Sequence, residues 1–254
     1  MSSRAITGTI ITRNEEGRIA AAIASLSCCD EVVVVDSGST DRTREIAEQC
    51  GARVFVREWD GYSKQKNFAA EKASHDWILS LDADERVSIE LANEITLWSP
   101  AEYEIARSMP RRAFYLGEWI NHSGWYPDRK IRLYDRRRTR WVGDFVHEKL
   151  DVNHGVAAFA GDLLHFPYRD WQDHLRRIDR YTGLAAEGAR ASGKRGSISR
   201  LVLGPPVAFL QTLLLRLGFL DGWRGGLIAF AAGRYVFLRQ SRILRGRWFF
   251  SSAL

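Results

Sequence analysis

Two carboxylates one residue apart, Asp82 and Asp84, close the apolar run Trp77-Ile-Leu-Ser-Leu81. Side chains alternate along a strand, so this spacing predicts that both acids point the same way from its carboxyl end. Hard oxygen donors so placed suit Mg²⁺ or Mn²⁺ carrying a diphosphate, because such ions take a few carboxylates and complete their shell with phosphate and water oxygens. An Asp-x-Asp alone also occurs in many solvated turns. Here it ends an apolar strand, and a second Asp-ended run, Val32-Val-Val-Val-Asp36, lies upstream.

Such acids need a sheet whose strands end together. Ile6 to Ile11 reads as a strand, and Asn14 as the cap of a helix with Ile19, Ile23 and Leu26 on one face. Val32 to Val35 has no alternation, which suits a parallel strand covered on both sides. Ser39 or Thr40 can cap a helix through Ile46 and Ala47 that stops near Gly51. A strand over Arg53 to Val56, a helix over roughly Lys64 to Ala73 and a strand over Trp77 to Leu81 complete a βαβαβαβ order. That order implies a parallel sheet with helices on both faces and a ligand beyond the strand ends, where Asp36 and Asp82 stand. From about Ala113 shorter strands follow, Phe114 to Leu116, Lys130 to Tyr134 and Val156 to Phe159, as a mixed or antiparallel extension. An amphipathic helix from about Asp170 to Ala189 and a linker from Ser192 to Ser197 lead to the tail.

Charge divides the chain. Residues 191–254 hold ten Lys/Arg and one acid, Asp221, a net of +9; the whole chain carries +6, so the first 190 residues carry 6 − 9 = −3. A mildly acidic globule followed by a basic, apolar segment directs anionic lipid or nucleic acid to the tail alone. Cys28, Cys29 and Cys50 have neither metal-ligand spacing nor a disulfide framework, which fits a reducing compartment. Met1-Ser-Ser-Arg4 runs into a strand without a signal-peptide pattern.

No Gly-x-Gly-x-x-Gly follows the first strand and there is no Gly-Lys-Ser/Thr loop, which argues against a dinucleotide oxidoreductase and a P-loop ATPase. After the second strand stands Asp36-Ser-Gly-Ser-Thr-Asp41, either a capped turn or a turn whose Asp36 also accepts bonds from a nucleoside. With Ile10-Ile-Thr-Arg-Asn14-Glu15-Glu16, Gln65-Lys66-Asn67 and Leu81-Asp82-Ala-Asp84-Glu85, in that order and spacing, it resembles the family 2 glycosyltransferases. The similarity runs on through Trp125-Tyr-Pro-Asp-Arg129, Arg132-Leu-Tyr-Asp135, Val146-His147-Glu148 and Gly218-Phe-Leu-Asp221-Gly222, and within the family it is nearest the lipopolysaccharide core β-glucosyltransferase group.

The resemblance implies a GT-A nucleotide-sugar-binding, Rossmann-like α/β fold over residues 1–190, with a nucleotide-binding half of about 1–100 and an acceptor half of about 101–190. It implies a UDP-sugar donor, glucose by the subgroup, and Mg²⁺ or Mn²⁺. Thr12, Asn14, Glu16, Asp36, Ser37, Lys66, Asn67 and Asp82 fall on donor-binding positions, and Asp82, Asp84 and His165 on the metal and diphosphate site. By residue chemistry alone, a histidine between apolar residues, as His165 is, is more often a satisfied core residue, and His147 is open to the same reading. Many members carry Asp-Asp after the second strand; here the second place is Ser37, so uracil recognition rests on Asp36 and the loop Thr12 to Asn14.

Inverting transfer needs a base that deprotonates an acceptor hydroxyl as it attacks the anomeric carbon. The transition state is oxocarbenium-like, and the metal stabilises charge on the leaving diphosphate. Glu148 matches the family's catalytic acidic position, with Asp144 and Asp128 as alternatives. Arg129 and Arg132 are candidates to bind anionic groups on the acceptor, through arginine's fixed donor fork, while in the run Arg136-Arg-Arg-Thr-Arg140 the residues Arg136 to Arg138 read as a solvated hairpin tip.

Leu201 to Leu220 and Leu227 to Leu238 are apolar but interrupted, and Asp221 to Gly226 between them reads as a turn. Lys194, Arg195 and Arg200 precede the pair, and Arg239, Arg242, Arg245 and Arg247 follow it. Positive charge at both outer ends predicts two amphipathic helices in the cytoplasmic leaflet of the inner membrane, peripheral or monotopic, with Trp223 or Trp248 at the interface. The alternative is that they pack on protein or form a homodimer. The leading reading is thus a metal-dependent inverting hexosyltransferase acting on a lipid-linked glycan such as the lipopolysaccharide inner core. Transfer to polyprenyl phosphate on the same fold is the runner-up. A non-catalytic protein binding membrane or nucleic acid would leave the gathering of Asp36, Asp82, Asp84 and Glu148 unexplained, and the acidic front repels phosphate backbones, so no nucleic-acid partner is expected.

Overall fold

The computed structural model of the chain describes residues 5–143, 148–194 and 196–251. They form two compact units, Met1–Arg112 with Asp128–His165, and Ala113–Pro127 with Phe166–Leu254. A division at 190/191, as read from composition, falls inside the second of these.

In the first unit β1 (Ile6–Thr12), β2 (Glu31–Asp36), β3 (Arg53–Val56) and β4 (Trp77–Asp82) lie parallel in the order β3-β2-β1-β4. Their β-branched and apolar runs suit strands covered on both faces, and every residue of β1 is buried. Alternation sends Ile10, Val34, Leu79 and Leu81 into one core with Ile19 and Ile23 of α1 (Ile19–Ser25), Ala47 of α2 (Thr43–Gln49), and Leu91 and Ile95 of α4 (Ile89–Leu97). Ile11, Val35 and Ile78 pack instead with Ala69 and Ala70 of α3 (Tyr62–Lys72). Helices therefore cover both faces. Beyond β4 the sheet turns antiparallel through β8 (Asp128–Asp135) and β6 (Ala106–Tyr115), then continues to β12 (Leu163–His165) and β5 (Glu85–Val87). β11 (Val156–Ala158) adds to β6, and β9 (Trp141–Val142) pairs with β10 (Lys149–Leu150) as a separate ribbon. This is the α/β mixed sheet that the sequence predicts.

Local starts differ. Asn14 does not cap α1, which begins at Ile19; it adopts φ +55° and bonds across to the next loop. α2 starts after Asp41, whose Oδ1 accepts the Thr43 N–H at 3.1 Å, and not at Ser39 or Thr40. The sequence reading passed over α4, although Ser88 caps it by accepting the Leu91 N–H at 3.1 Å.

The second unit holds the end of β6, paired with β7 (Glu118–Trp119), and the helices α5 (Trp171–Ala191), α6 (Ile198–Leu210) and α7 (Gly222–Ser251). Asp170 caps α5 by accepting the Asp173 N–H at 2.7 Å. Tyr115, Ile120 and Ile228 are buried together, with Trp125, Tyr168 and Trp171 packed against them. α5 and α6 both pack on α7. The turn expected over Asp221 to Gly226 and the short helix over Leu227 to Leu238 are replaced by an earlier turn, Gly218–Asp221, and one helix of 30 residues. Asp221 supplies the reason. Its buried carboxylate accepts from the Asn121 and His122 N–H groups at 3.1 and 3.2 Å and from Ser123 Oγ at 2.6 Å, fixing the turn to that loop. A Cβ on Gly225 would lie 1.7 Å from the Gly218 carbonyl oxygen, so only glycine permits this approach. No residue of α6 is buried, and Val202, Leu203, Val207, Leu210, Leu214 and Leu215 are exposed.

Candidate active site

Strand register aligns the acids at one edge of the sheet: Thr12 lies opposite Asp36, and Ile11 opposite Asp82. The two loops that leave this edge hold each other through their motif residues. Ser39 Oγ accepts the Asn14 N–H at 2.8 Å, Thr43 Oγ1 the Glu15 N–H at 2.8 Å and Asp41 Oδ2 the Glu16 N–H at 3.2 Å. In return Asn14 Oδ1 accepts the Thr40 N–H at 2.8 Å, and Glu16 Oε2 the Arg42 N–H at 3.1 Å. Asp36 is fully buried; its Oδ1 accepts the Gly38 and Ser39 N–H groups, and its Oδ2 the Ser39 hydroxyl. Asn14, Glu16 and Asp36, expected to touch the nucleotide, thus already shape the loops that would receive it. Thr12 Oγ1 is buried and has no hydrogen-bond partner among the described residues. Ser37 Oγ accepts from Gln65 Nε2 at 3.0 Å, and the same nitrogen reaches the carbonyls of Arg57 and Glu58 at 3.2 Å.

Strand β4 ends at Asp82, and a turn leads directly into β5, so the alternation that would have aimed Asp82 and Asp84 together stops between them. Asp82 faces two cations: Lys66 Nζ stands 3.1 Å from its Oδ1 and Arg132 Nη2 2.7 Å from its Oδ2. From there charges alternate in both directions. Lys66 Nζ reaches Glu148 Oε1 at 3.5 Å; Arg132 reaches the fully buried Glu85 at 2.7 Å, Glu85 meets Arg111 at 3.2 Å, and Arg111 holds Asp128 at 2.6 Å. Lys66 is itself fully buried, with its ammonium 4.4 Å from the centre of the Trp141 ring. Burial alone would raise the Asp82 pKa, but Arg132 and Lys66 outweigh it and hold the carboxyl far below the usual carboxylate range. Arg132 is shifted the opposite way: burial would lower its pKa, and Asp82 and Glu85 raise it.

The three residues expected to share a metal are not gathered into one cage, and among the described residues no group of three His, Cys, Asp or Glu side chains is. Both oxygens of Asp82 are turned to cations, whereas Asp84 Oδ2 and His165 Nε2 face each other at 3.5 Å, brought together by the pairing of β12 with β5. One carboxylate oxygen and one imidazole nitrogen fit a divalent ion that completes its shell with diphosphate and water, Mn²⁺ better than the oxygen-preferring Mg²⁺.

The remaining expectations separate. Glu148 is partly exposed and placed beside Lys66. Arg129 is exposed and donates to the Phe159 carbonyl at 3.2 Å. Arg132, expected on an acceptor surface, is 4% exposed and belongs to the ion-pair chain. Asn67 makes two bonds to the backbone of Trp141 in place of an open donor-binding face. The basic run is a turn with Arg137 and Arg138 exposed, as a solvated tip requires, but Arg136 is half-buried and donates to the Ala70 and Ala73 carbonyls, and Arg138 also donates to those of Glu102 and Glu104. Asp144 and His147 lie outside the described residues. Glu85, Arg111 and Trp141 were missed as site residues, although Glu85 directly follows the two aspartates in sequence.

Residues 9–147 match the family model for glycosyl transferase family 2. The chain is 33% identical to the lipopolysaccharide core biosynthesis glycosyltransferase LpsC of Rhizobium meliloti, over 92% of this chain and 90% of that one. It is 34% identical to an uncharacterized glycosyltransferase of Rickettsia felis, over 93% and 89% of the two chains. Among solved structures, glucosyl-3-phosphoglycerate synthase from Mycobacterium tuberculosis matches at 27% identity over 45% of each chain, with a TM-score of 0.34, too low to bear on the fold. The family match covers the parallel strands, both interlocked loops and the Asp82–Glu85 turn, and together with the full-length relatives it establishes that the chain is a glycosyltransferase of family 2.

Proposed function

We propose that this glycosyltransferase moves a hexose, glucose by preference, from a UDP-sugar to a lipid-linked glycan of the lipopolysaccharide-core kind, with inversion and with the help of a divalent metal. The observation that carries the reading is Lys66, a buried cation shared by Asp82 at the strand edge and the partly exposed Glu148. That arrangement keeps one carboxylate among the donor-side residues and presents the other to an incoming hydroxyl. Glu148 takes the acceptor's proton while the acceptor oxygen bonds to the anomeric carbon and the bond to the diphosphate breaks, its electron pair leaving with the phosphate oxygen. Asp84 and His165 would hold the metal, which when bound neutralises charge on the departing diphosphate. Thr12 Oγ1, at the end of β1 and without a hydrogen-bond partner among the described residues, would meet the nucleoside. Similarity to the lipopolysaccharide core biosynthesis glycosyltransferase of Rhizobium supports a lipopolysaccharide-core acceptor.

The reading places the enzyme at the cytoplasmic face of the inner membrane. Its support is the apolar stretch Ile198–Leu215, long and apolar enough to cross a membrane by length and composition yet almost wholly unburied. Arg200 near its start and Arg216 at its end suit an anionic surface. The test is a panel of labelled UDP-hexoses with Mn²⁺ or EDTA and core-truncated lipopolysaccharide in phospholipid vesicles, with the anomeric configuration of the product read by NMR. An inverted, Mn²⁺-dependent glucoside is expected; a retained configuration, or full transfer in EDTA, would overturn the mechanism.

A further inference from the structure

Helix α3 holds the chain on both sides of the 144–147 segment that precedes Glu148. Asn67 Nδ2 donates to the Trp141 carbonyl at 2.9 Å, and Asn67 Oδ1 accepts the Trp141 N–H at 2.9 Å. One turn earlier, Ser63 Oγ donates to the Gly143 carbonyl at 2.8 Å. On the far side, Lys66 Nζ reaches Glu148 Oε1 at 3.5 Å, and Leu150 pairs back to Trp141 across the β9/β10 ribbon. Trp141 and Leu150 are buried in one cluster with Ala70 of the same helix and Ala73 at its C-cap, and Trp141 Nε1 donates to the Tyr134 hydroxyl at 3.1 Å. The helix is itself secured, since Arg136 takes its terminal Ala70 and Ala73 carbonyls.

Two parallel bonds from a single side-chain amide to one residue's backbone reproduce the pairing of a neighbouring strand, and they fix position as a flexible ammonium contact alone would not. They engage both polar atoms of Asn67 with the backbone of Trp141. We infer that Asn67, with Ser63, is a positioning residue for Glu148 and not a donor-binding residue: it sets where the base stands, and Lys66 sets the direction in which its carboxylate is drawn. The inference rests on Glu148 being the base.

The experiment compares Asn67→Ala, Ser63→Ala and Glu148→Gln singly, and Asn67→Ala combined with Glu148→Gln, in the full chain. Each variant is checked by thermal melting. UDP affinity is measured by calorimetry with Mn²⁺, and transfer from labelled UDP-glucose to core-truncated lipopolysaccharide is measured at saturating donor. Asn67→Ala should lower kcat on the order of 10²-fold, as misplacement of a reacting group does, and leave the UDP Kd within about twofold. Ser63→Ala, losing one bond, should shift kcat the same way by less, and it carries the test if Asn67→Ala does not fold. In the Glu148→Gln background Asn67→Ala should change the residual rate by less than about twofold, because residues acting through one group are not additive. A weakened UDP Kd with unchanged kcat returns Asn67 to the donor site and overturns the inference, as does a full loss on top of Glu148→Gln. Normal turnover by Glu148→Gln would instead remove the base assignment itself, which the single Asn67 variant cannot do.

Discussion

Arg132 lies between two carboxylates, and that place decides what its removal does. Replacing it with leucine would leave Asp82 and the fully buried Glu85 without their shared cation. Breaking a buried pair costs about 3–5 kcal/mol when it leaves a charge uncompensated. Lys66 and Arg111 stay beside the two acids, so urea denaturation of Arg132→Leu should show a smaller loss, about 1–3 kcal/mol. An arginine on an acceptor-facing surface would change stability by less than about 0.5 kcal/mol on the same substitution, and such a result would move Arg132 back to the acceptor. Asp84 has the opposite character, being partly exposed beside His165. Asp84→Ala should keep the wild-type melting temperature and lose transfer together with Mn²⁺-dependent UDP binding; an active variant would remove the metal assignment. Sequence spacing named Asp82 and Asp84, and the family resemblance named Lys66 and Glu148, but neither showed that Asp82 belongs to a chain of ion pairs. Its partner Arg132 is 50 residues away, and register between distant strands is invisible in a local pattern.

At the scale of elements, the parallel strands were legible because their burial on both faces demands apolar runs, and so was the start of α5 at Asp170, while the starts of α1 and α2 were not. Asn14 and Asp41 are cap-forming residue types whose carboxamide and carboxylate oxygens accept across the gap between loops, which looks in sequence the same as a cap within one helix. α5 offers an element-level test. His174 is buried, accepts or donates at 2.7 Å with the Tyr115 hydroxyl, and stacks on Tyr168 at 4.1 Å between ring centres. Burial pushes its pKa down to about 4, with Asp173 opposing and Arg177 reinforcing the shift. The unfolded chain, with a histidine pKa of about 6.5, therefore binds a proton that the folded unit refuses. The stability this histidine contributes is complete above that value and is lost as pH falls through about 6.5 toward about 4. Melting curves should drop more steeply over that range for the wild type than for His174→Gln; parallel curves would show that the ring is protonated in place.

At the scale of the whole molecule, the charge divide between residues 1–190 and the tail was readable from composition, and so was the apolar character of the tail. The place of its turn was not, because it depends on Asp221 binding a loop about 100 residues earlier. With Val202, Leu203, Val207, Leu210, Leu214 and Leu215 exposed along Ile198–Leu215, the chain should float with anionic phospholipid vesicles at low salt. Val207→Asp with Leu214→Asp should abolish flotation and leave melting unchanged; a wild type that stays with the soluble fraction as a dimer would assign that face to a second copy. The claim on which the account turns is the base. In Glu148→Gln the UDP affinity should stay within about twofold of wild type while kcat at saturating donor falls by about 10²- to 10⁴-fold. Normal turnover by that variant, with the loss appearing in Asp128→Asn or Asp144→Asn, would contradict it.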